Sequence, residues 1–292
     1  MRQARSGSWK FSVAAGLCAL GAGLAACGGG GDDGTPADPD AATADVDAPT
    51  IDAPAPDAAN MARFSFFVTS VKAIRELSGN QQGFGGDLRF GETGPGAGLR
   101  GADKICAAIA ERSMPGSSAK GWRAFLSASD DGNGNVVNAI DRIGNGPWYD
   151  RLGRLLASSK ANLLADRPVD ADPAIRNDFP NEDGVLNHNP DGTGQVDNHD
   201  MLTGTNRQGR LYGATYTCLD WTGKTGSAAE GKPRVGHSWP RQGSGVNWMD
   251  ALTESGCAPG INLIEMGGPL PGANTVGSGG GYGGFYCFAL MP

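Results

Sequence analysis

The chain has 292 residues, 24 basic against 31 acidic for a net charge of −7, with 48 Gly, 18 Pro and six Cys. That length allows one large domain with a real core. No basic stripe is present, so neither nucleic acid nor an anionic lipid patch is indicated as a partner.

The first 26 residues set the compartment. Arg2, Arg5 and Lys10 precede the short apolar run FSVAAGLCALGAGLAA, residues 11–26. That run is too short and small-sided for a comfortable membrane span and has the make-up of a secretory signal peptide. It closes on Leu24-Ala25-Ala26-Cys27, which resembles a bacterial lipobox and implies acylation of Cys27. Gly28 follows, and by resemblance to enterobacterial sorting this favours the outer membrane. The expected location is extracytoplasmic, lipid-anchored at the outer membrane or cell surface of a Gram-negative bacterium.

After Cys27, residues 28–61 hold eight Asp, many Ala, Pro and Gly, and no Lys or Arg. Such a segment cannot bury enough apolar surface to fold, and its charges and prolines favour extension. At ~3.3 Å per residue it reaches at most roughly 110 Å. Setting aside the three basic residues of the leader and the eight Asp of the tether leaves 23 acidic and 21 basic residues in 62–292, a nearly neutral domain.

In that domain, RFSFFVTS (63–70) alternates and is aromatic and β-branched, which predicts a strand. GADKICAAIAERS (101–113) places Ala102, Ile105, Cys106 and Ile109 on one helical face. GWRAFLSAS (121–129) and the terminal GFYCFALMP predict two more strands. From about 170 to 285 the chain reads as mostly loop, with short strands near RLYGATYTCLDW (210–221). The class is α+β, loop-rich. With Cys18 in the leader and Cys27 in the lipobox, Cys106, Cys218, Cys257 and Cys287 remain, an even number that implies disulfides in an exported protein. Spacing leaves three pairings open.

Enzyme constellations are weak. The chain has no HExxH and no GxSxG, and SSAK (117–120) is an isolated SxxK match. His237, in GHSWPR, would need Asp220 or Asp250 and a nucleophile to form a hydrolase site. The expectation is therefore a non-enzyme. Among the tryptophans, Trp122 and Trp221 sit in apolar segments and read as core. Trp239 and Trp248 lie in Gly-rich polar loops and are candidates, with His237, for ligand contact through ring stacking.

The stretch NHNPDGTGQVDNHD (187–200) is rich in hard oxygen donors. Read as a calcium loop, it places Asn187, Asn189 and Asp191 at positions 1, 3 and 5 and Gly192 at 6, but Asn198 stands where a bidentate Glu is needed. Asn189, Asp191, Asp197, Asn198 and Asp200 are the candidate metal ligands, with calcium the candidate cofactor. Glu182 and Asp183 lie just upstream. Two alternatives stay open, a solvated turn-rich loop and a His-bearing transition-metal site.

Taken in order, GLRGADKIC, GWRAFLSAS, DRIGNGPWYD, TCLDWTG, GHSW and FYCFAL resemble the endostatin-like branch of the C-type-lectin-like fold, in its exported bacterial form, over roughly 62–292. The resemblance implies a disulfide-stapled single domain in which Cys106 pairs with Cys287 and Cys218 with Cys257. It carries over neither of that fold's known metal sites. Glu-Pro-Asn, Gln-Pro-Asp and Trp-Asn-Asp are absent, and no His lies near the domain's start. The implied function is a membrane-anchored binding module for a glycan or an extracellular protein, recognised through the loops of 180–280. A structural, adhesive lipoprotein of the cell surface is the alternative.

Overall fold

The computed structural model describes residues 58–189, 196–241, 245–264 and 273–291. Cys27, the tether to residue 57 and Asp191 lie outside the described residues. The chain is a mixed α+β fold with two disulfides, Cys106–Cys287 and Cys218–Cys257. That is the pairing the resemblance implies.

In chain order the elements are α1 (Ala58–Arg63), β1 (Phe66–Val68), α2 (Val71–Ser78), α3 (Ala97–Ser113), β2 (Trp122–Ala124), α4 (Ala139–Arg142), β3 (Trp148–Tyr149), β4 (Leu155–Ala157), α5 (Lys160–Leu163), β5 (Asp200–Leu202), the turn α6 (Cys218–Trp221), β6 (Arg234–His237), β7 (Leu252–Thr253) and β8 (Gly281–Ala289). The C-terminal strand β8 is central, and all nine of its residues are buried. Its second half pairs antiparallel with β1 (Phe66↔Phe288) and with β2 (Ala124↔Cys287). Its first half pairs in parallel with β5 (Asp200↔Gly281, Leu202↔Phe285), and β6 and β7 continue that side antiparallel.

The strand expected over 63–70 is confined to Phe66–Val68. Its residues are all buried rather than alternating, with Phe66 packed on Phe179, Tyr286 and Phe288 and Phe67 on Phe64 and Trp122. The segment at 121–129 forms a strand only over its first residues, and β8 begins three residues ahead of the run first read as a strand. No strand forms within 210–221, which holds a 3-10 turn at Ala214–Tyr216 and then α6. In α6 four consecutive non-glycine residues adopt left-handed φ, from +51° at Cys218 to +67° at Trp221. This conformation costs L-residues roughly 1–2 kcal/mol each. Asp220 offsets part of that cost by accepting from Ser129 N (2.6 Å) and Ser129 Oγ (2.7 Å), as does Trp221, whose indole donates to Ser127 O at 2.8 Å.

Helix α3 buries Ala102, Ile105, Cys106 and Ile109, the face that the periodicity predicts. It starts four residues earlier than the apolar pattern. The extra turn is packed by glycine: a Cβ at Gly98 would stand 2.1 Å from Asp220 O. Gly98 therefore lets the α3 backbone touch α6, which a helix-propensity reading counts as a break. The aromatic core lies against β8. Trp122, Trp148, Trp221 and Trp248 are among its largest fully buried side chains.

Candidate functional site

The pairing of β5 with β6 places Asp200 directly opposite His237. Because β5 also pairs with β8, the same residue stands beside Gly281. One register therefore gathers residues that are far apart in sequence. His199, Asp200 and His237 are each wholly buried, and one ligating atom from each falls within 4.8 Å of the others. Asp200 Oδ1 lies 3.0 Å from His237 Nε2 and 3.4 Å from His199 Nε2. The imidazoles meet edge to face, with centroids 4.3 Å apart.

The outer nitrogens are held by other groups. His237 Nδ1 is 3.0 Å from Gly245 O. A carbonyl only accepts, so Nδ1 carries a proton in that contact. His199 Nδ1 lies 2.6 Å from Asp197 Oδ1, within ion-pair range although off the line of an ideal hydrogen bond. The other oxygen of Asp197 accepts from the Arg241 guanidinium.

Glycines make room for these carboxylates. Gly280 has φ +120°, and a Cβ there would fall 2.5 Å from Asp197 Oδ1. A Cβ on Gly279 would lie 2.7 Å from Asp200 Oδ2 and 3.4 Å from Glu254 Oε1. Glu254 accepts from Ser278 Oγ (2.5 Å) and Gly279 N (2.7 Å). Burial first, then the neighbouring Asp200 carboxylate, pushes its pKa well above the usual carboxylate range.

The residues singled out in the sequence are only partly brought together. Asp197 and Asp200 join the buried cluster. Asn198 turns away: it accepts from Trp239 Nε1 at 2.8 Å and donates to Asn187 O, so its amide is spent on the loop frame. Asn189 is exposed in a turn, its N–H directed at Leu186 O. Glu182 is not among the converging residues and binds Ser70.

The stacking roles expected for Trp239 and Trp248 do not hold. Trp248 is fully buried against Phe125, Phe179 and Tyr286 and donates to Leu163 O. Trp239 is 5% exposed; His188 stacks on one face with centroids 3.7 Å apart, and His199 lies 4.7 Å away. Gly-rich flanks suggest exposed indoles, but both indoles are enclosed. His237 is likewise buried rather than presented to a ligand. Asp220 is engaged with Ser129, and Asp250 with Arg234, so neither carboxylate envisaged for a hydrolase serves His237.

Sequence reading missed His199 as a cluster member, and it missed Glu254, Ser278 and Arg241. The available signal was that all three histidines of the chain stand near Asp or Trp in polar, Gly-rich segments. Arg167 braces the site from behind. Its guanidinium donates to His237 O and Ser238 O, both at 2.7 Å, and lies 4.0 Å from the Phe179 ring centroid. Burial lowers its pKa to about 10, so it keeps its charge.

No protein-family model and no curated protein matches this chain.

Proposed function

We propose that the chain is an exported, lipid-anchored binding module of C-type-lectin-like fold that recognises an extracellular ligand through its long-loop half. The ordered motifs, the signal-like leader with its lipobox and the acidic tether support this reading. The observation that carries it is a surface groove of about 600 Å3. Val71, Val185, Val196 and Leu263 line it together with Lys72 and Arg75. It runs between α2 and the loop residues 181–185, Val196 and Leu263, where a rigid scaffold holds irregular segments at the surface. Apolar ground with a few charged groups is the usual make-up of a recognition site. With Trp239 and Trp248 inside the protein, an extracellular polypeptide fits this groove better than a sugar stacked on indole.

The test is binding of the full chain, disulfides intact, to arrays of glycans and of extracellular polypeptides. The charge reversals Lys72→Glu and Arg75→Glu lie on the exposed side of α2 and spare the core. The reading expects a polypeptide hit weakened at least tenfold by these changes. No binder on either array, or binders indifferent to both changes, would refute it. The anchor is tested separately: Cys27→Ala should release the protein from membranes, and continued detergent-dependent fractionation would refute lipidation.

A further inference from the structure

The arrangement around Asp200 sets a problem in charge and hydrogen bonding. His237 uses its Nδ1–H on Gly245 O, so a neutral ring turns the Nε2 lone pair toward Asp200 Oδ1. His199 presents Nδ1 to the Asp197 carboxylate, so its neutral ring likewise turns Nε2 toward the same oxygen. Two nitrogen lone pairs and a carboxylate oxygen then converge with no donor between them, and all three side chains are fully buried. Unpaired buried polar groups of this kind are costly. A cation among the three would satisfy all of these atoms at once.

We infer that His199, Asp200 and His237 bind one divalent transition ion of the zinc class, with Asp197 and Gly245 O fixing the imidazole tautomers. Three observations favour a cation over extra protons. Ligands held at ~2.0–2.2 Å around a tetrahedral ion stand about 3.4 Å apart, and the contacts of 3.0 and 3.4 Å from Asp200 Oδ1 to the two Nε2 atoms are near that spacing. Each imidazole has its far nitrogen against a carboxylate or a carbonyl, the outer support typical of metal-bound histidine. The glycines at 279 and 280 leave the acids unobstructed, since a Cβ at either would collide with them.

The donor set also selects the ion. Two imidazole nitrogens and one carboxylate suit zinc and its neighbours, whereas calcium takes six to eight oxygens. The calcium expected from residues 187–200 therefore does not match the side chains that converge here. The ion would clamp the start of β5 to the end of β6 and so set the geometry of the long-loop half. This inference stands independently of the groove and its ligand.

The full chain, with disulfides intact, is unfolded in guanidinium with EDTA and refolded with Zn2+, Co2+, Ca2+ or no ion. Refolding gives the ion access to a buried site. The inference expects one Zn2+ per chain by elemental analysis and visible Co2+ absorption of a low-coordinate nitrogen and oxygen site. It also expects a thermal midpoint ~5–10 °C higher at hundredfold excess of Zn2+ over its Kd, and none of these with Ca2+. His199→Ala and His237→Ala should each abolish stoichiometric binding, and Asp197→Asn should weaken it ~10–100-fold. Should a variant fail to refold, the wild-type stoichiometry and cobalt spectrum still decide the matter. Wild-type chain that takes up neither Zn2+ nor Co2+ would overturn the inference and identify a proton-bridged network. Calcium bound in place of zinc, or zinc bound equally by folded His variants, would overturn it as well.

Discussion

Glu182 makes the stability of this protein depend on pH in a direction opposite to that of most buried, paired acids. Its carboxylate accepts from Ser70 N at 2.9 Å and Ser70 Oγ at 2.5 Å, and Ser70 in turn caps α2 by accepting from Ala73 N. Those bonds favour the charged form, but burial outweighs them, and the adjacent Asp183 adds to the effect. The pKa is pushed up to about 7 from an ordinary 4.5. Between these values the folded state holds a proton that the unfolded state has released. Glu182 therefore contributes stability that is full below about pH 4.5 and is lost as pH rises through 7. At about 1.4 kcal/mol per pH unit, the swing is about 3 kcal/mol. The perturbation is Glu182→Gln, which keeps shape and an acceptor for Ser70 N but does not titrate. The assay is guanidinium unfolding of both proteins from pH 4.5 to 8, followed by tryptophan fluorescence. Other acids with raised pKa, such as Asp178 at about 6, act alike in both proteins and cancel in the difference. The wild type should lose about 3 kcal/mol relative to the variant across that range. A difference that stays flat with pH would refute the reasoning.

Three further predictions concern the scaffold. Arg167→Lys should cost about 3 kcal/mol, because a lysine cannot reproduce the fork to His237 O and Ser238 O; chemical denaturation at neutral pH checks it. Gly98→Ala should cost at least ~1–3 kcal/mol by overpacking, since its Cβ would fall 2.1 Å from Asp220 O; the thermal midpoint reports it. Removing the Cys218–Cys257 bond by paired Cys→Ser changes opens a loop with 39 residues of separation, worth about 4 kcal/mol in a chain-entropy account. The measured loss should be smaller, because α6 is then free to leave its left-handed conformation; denaturant unfolding of the double variant reads the value.

Much of the scaffold could be read from local pattern. The 3.6-residue spacing of Ala102, Ile105, Cys106 and Ile109 marked the buried face of α3, and the apolar run ending at Leu290 marked the central strand. The site was harder to read. Asp197 and Asp200 stood out as acids in a turn-rich stretch, but His237 reaches them only because β5 and β6 pair in one register. No short-range signal encodes that pairing. Asn198 and Trp239 misled for one shared reason. They satisfy each other's polar groups inside the protein, and composition does not distinguish such a pair from two exposed residues. Glu254 stayed hidden because β7, just before it, is too short to show a pattern.

The position of β8 also bears on how the protein reaches its native state. Among the described strands, β8 comes latest in sequence and lies between earlier ones, so β1, β2 and β5 have no common neighbour until residues 281–289 arrive. Its pairings with β1 and β2 span more than 150 residues of chain, and the Cys106–Cys287 bond spans 181. Closing such long loops precedes any reward from the contacts they make, which slows folding.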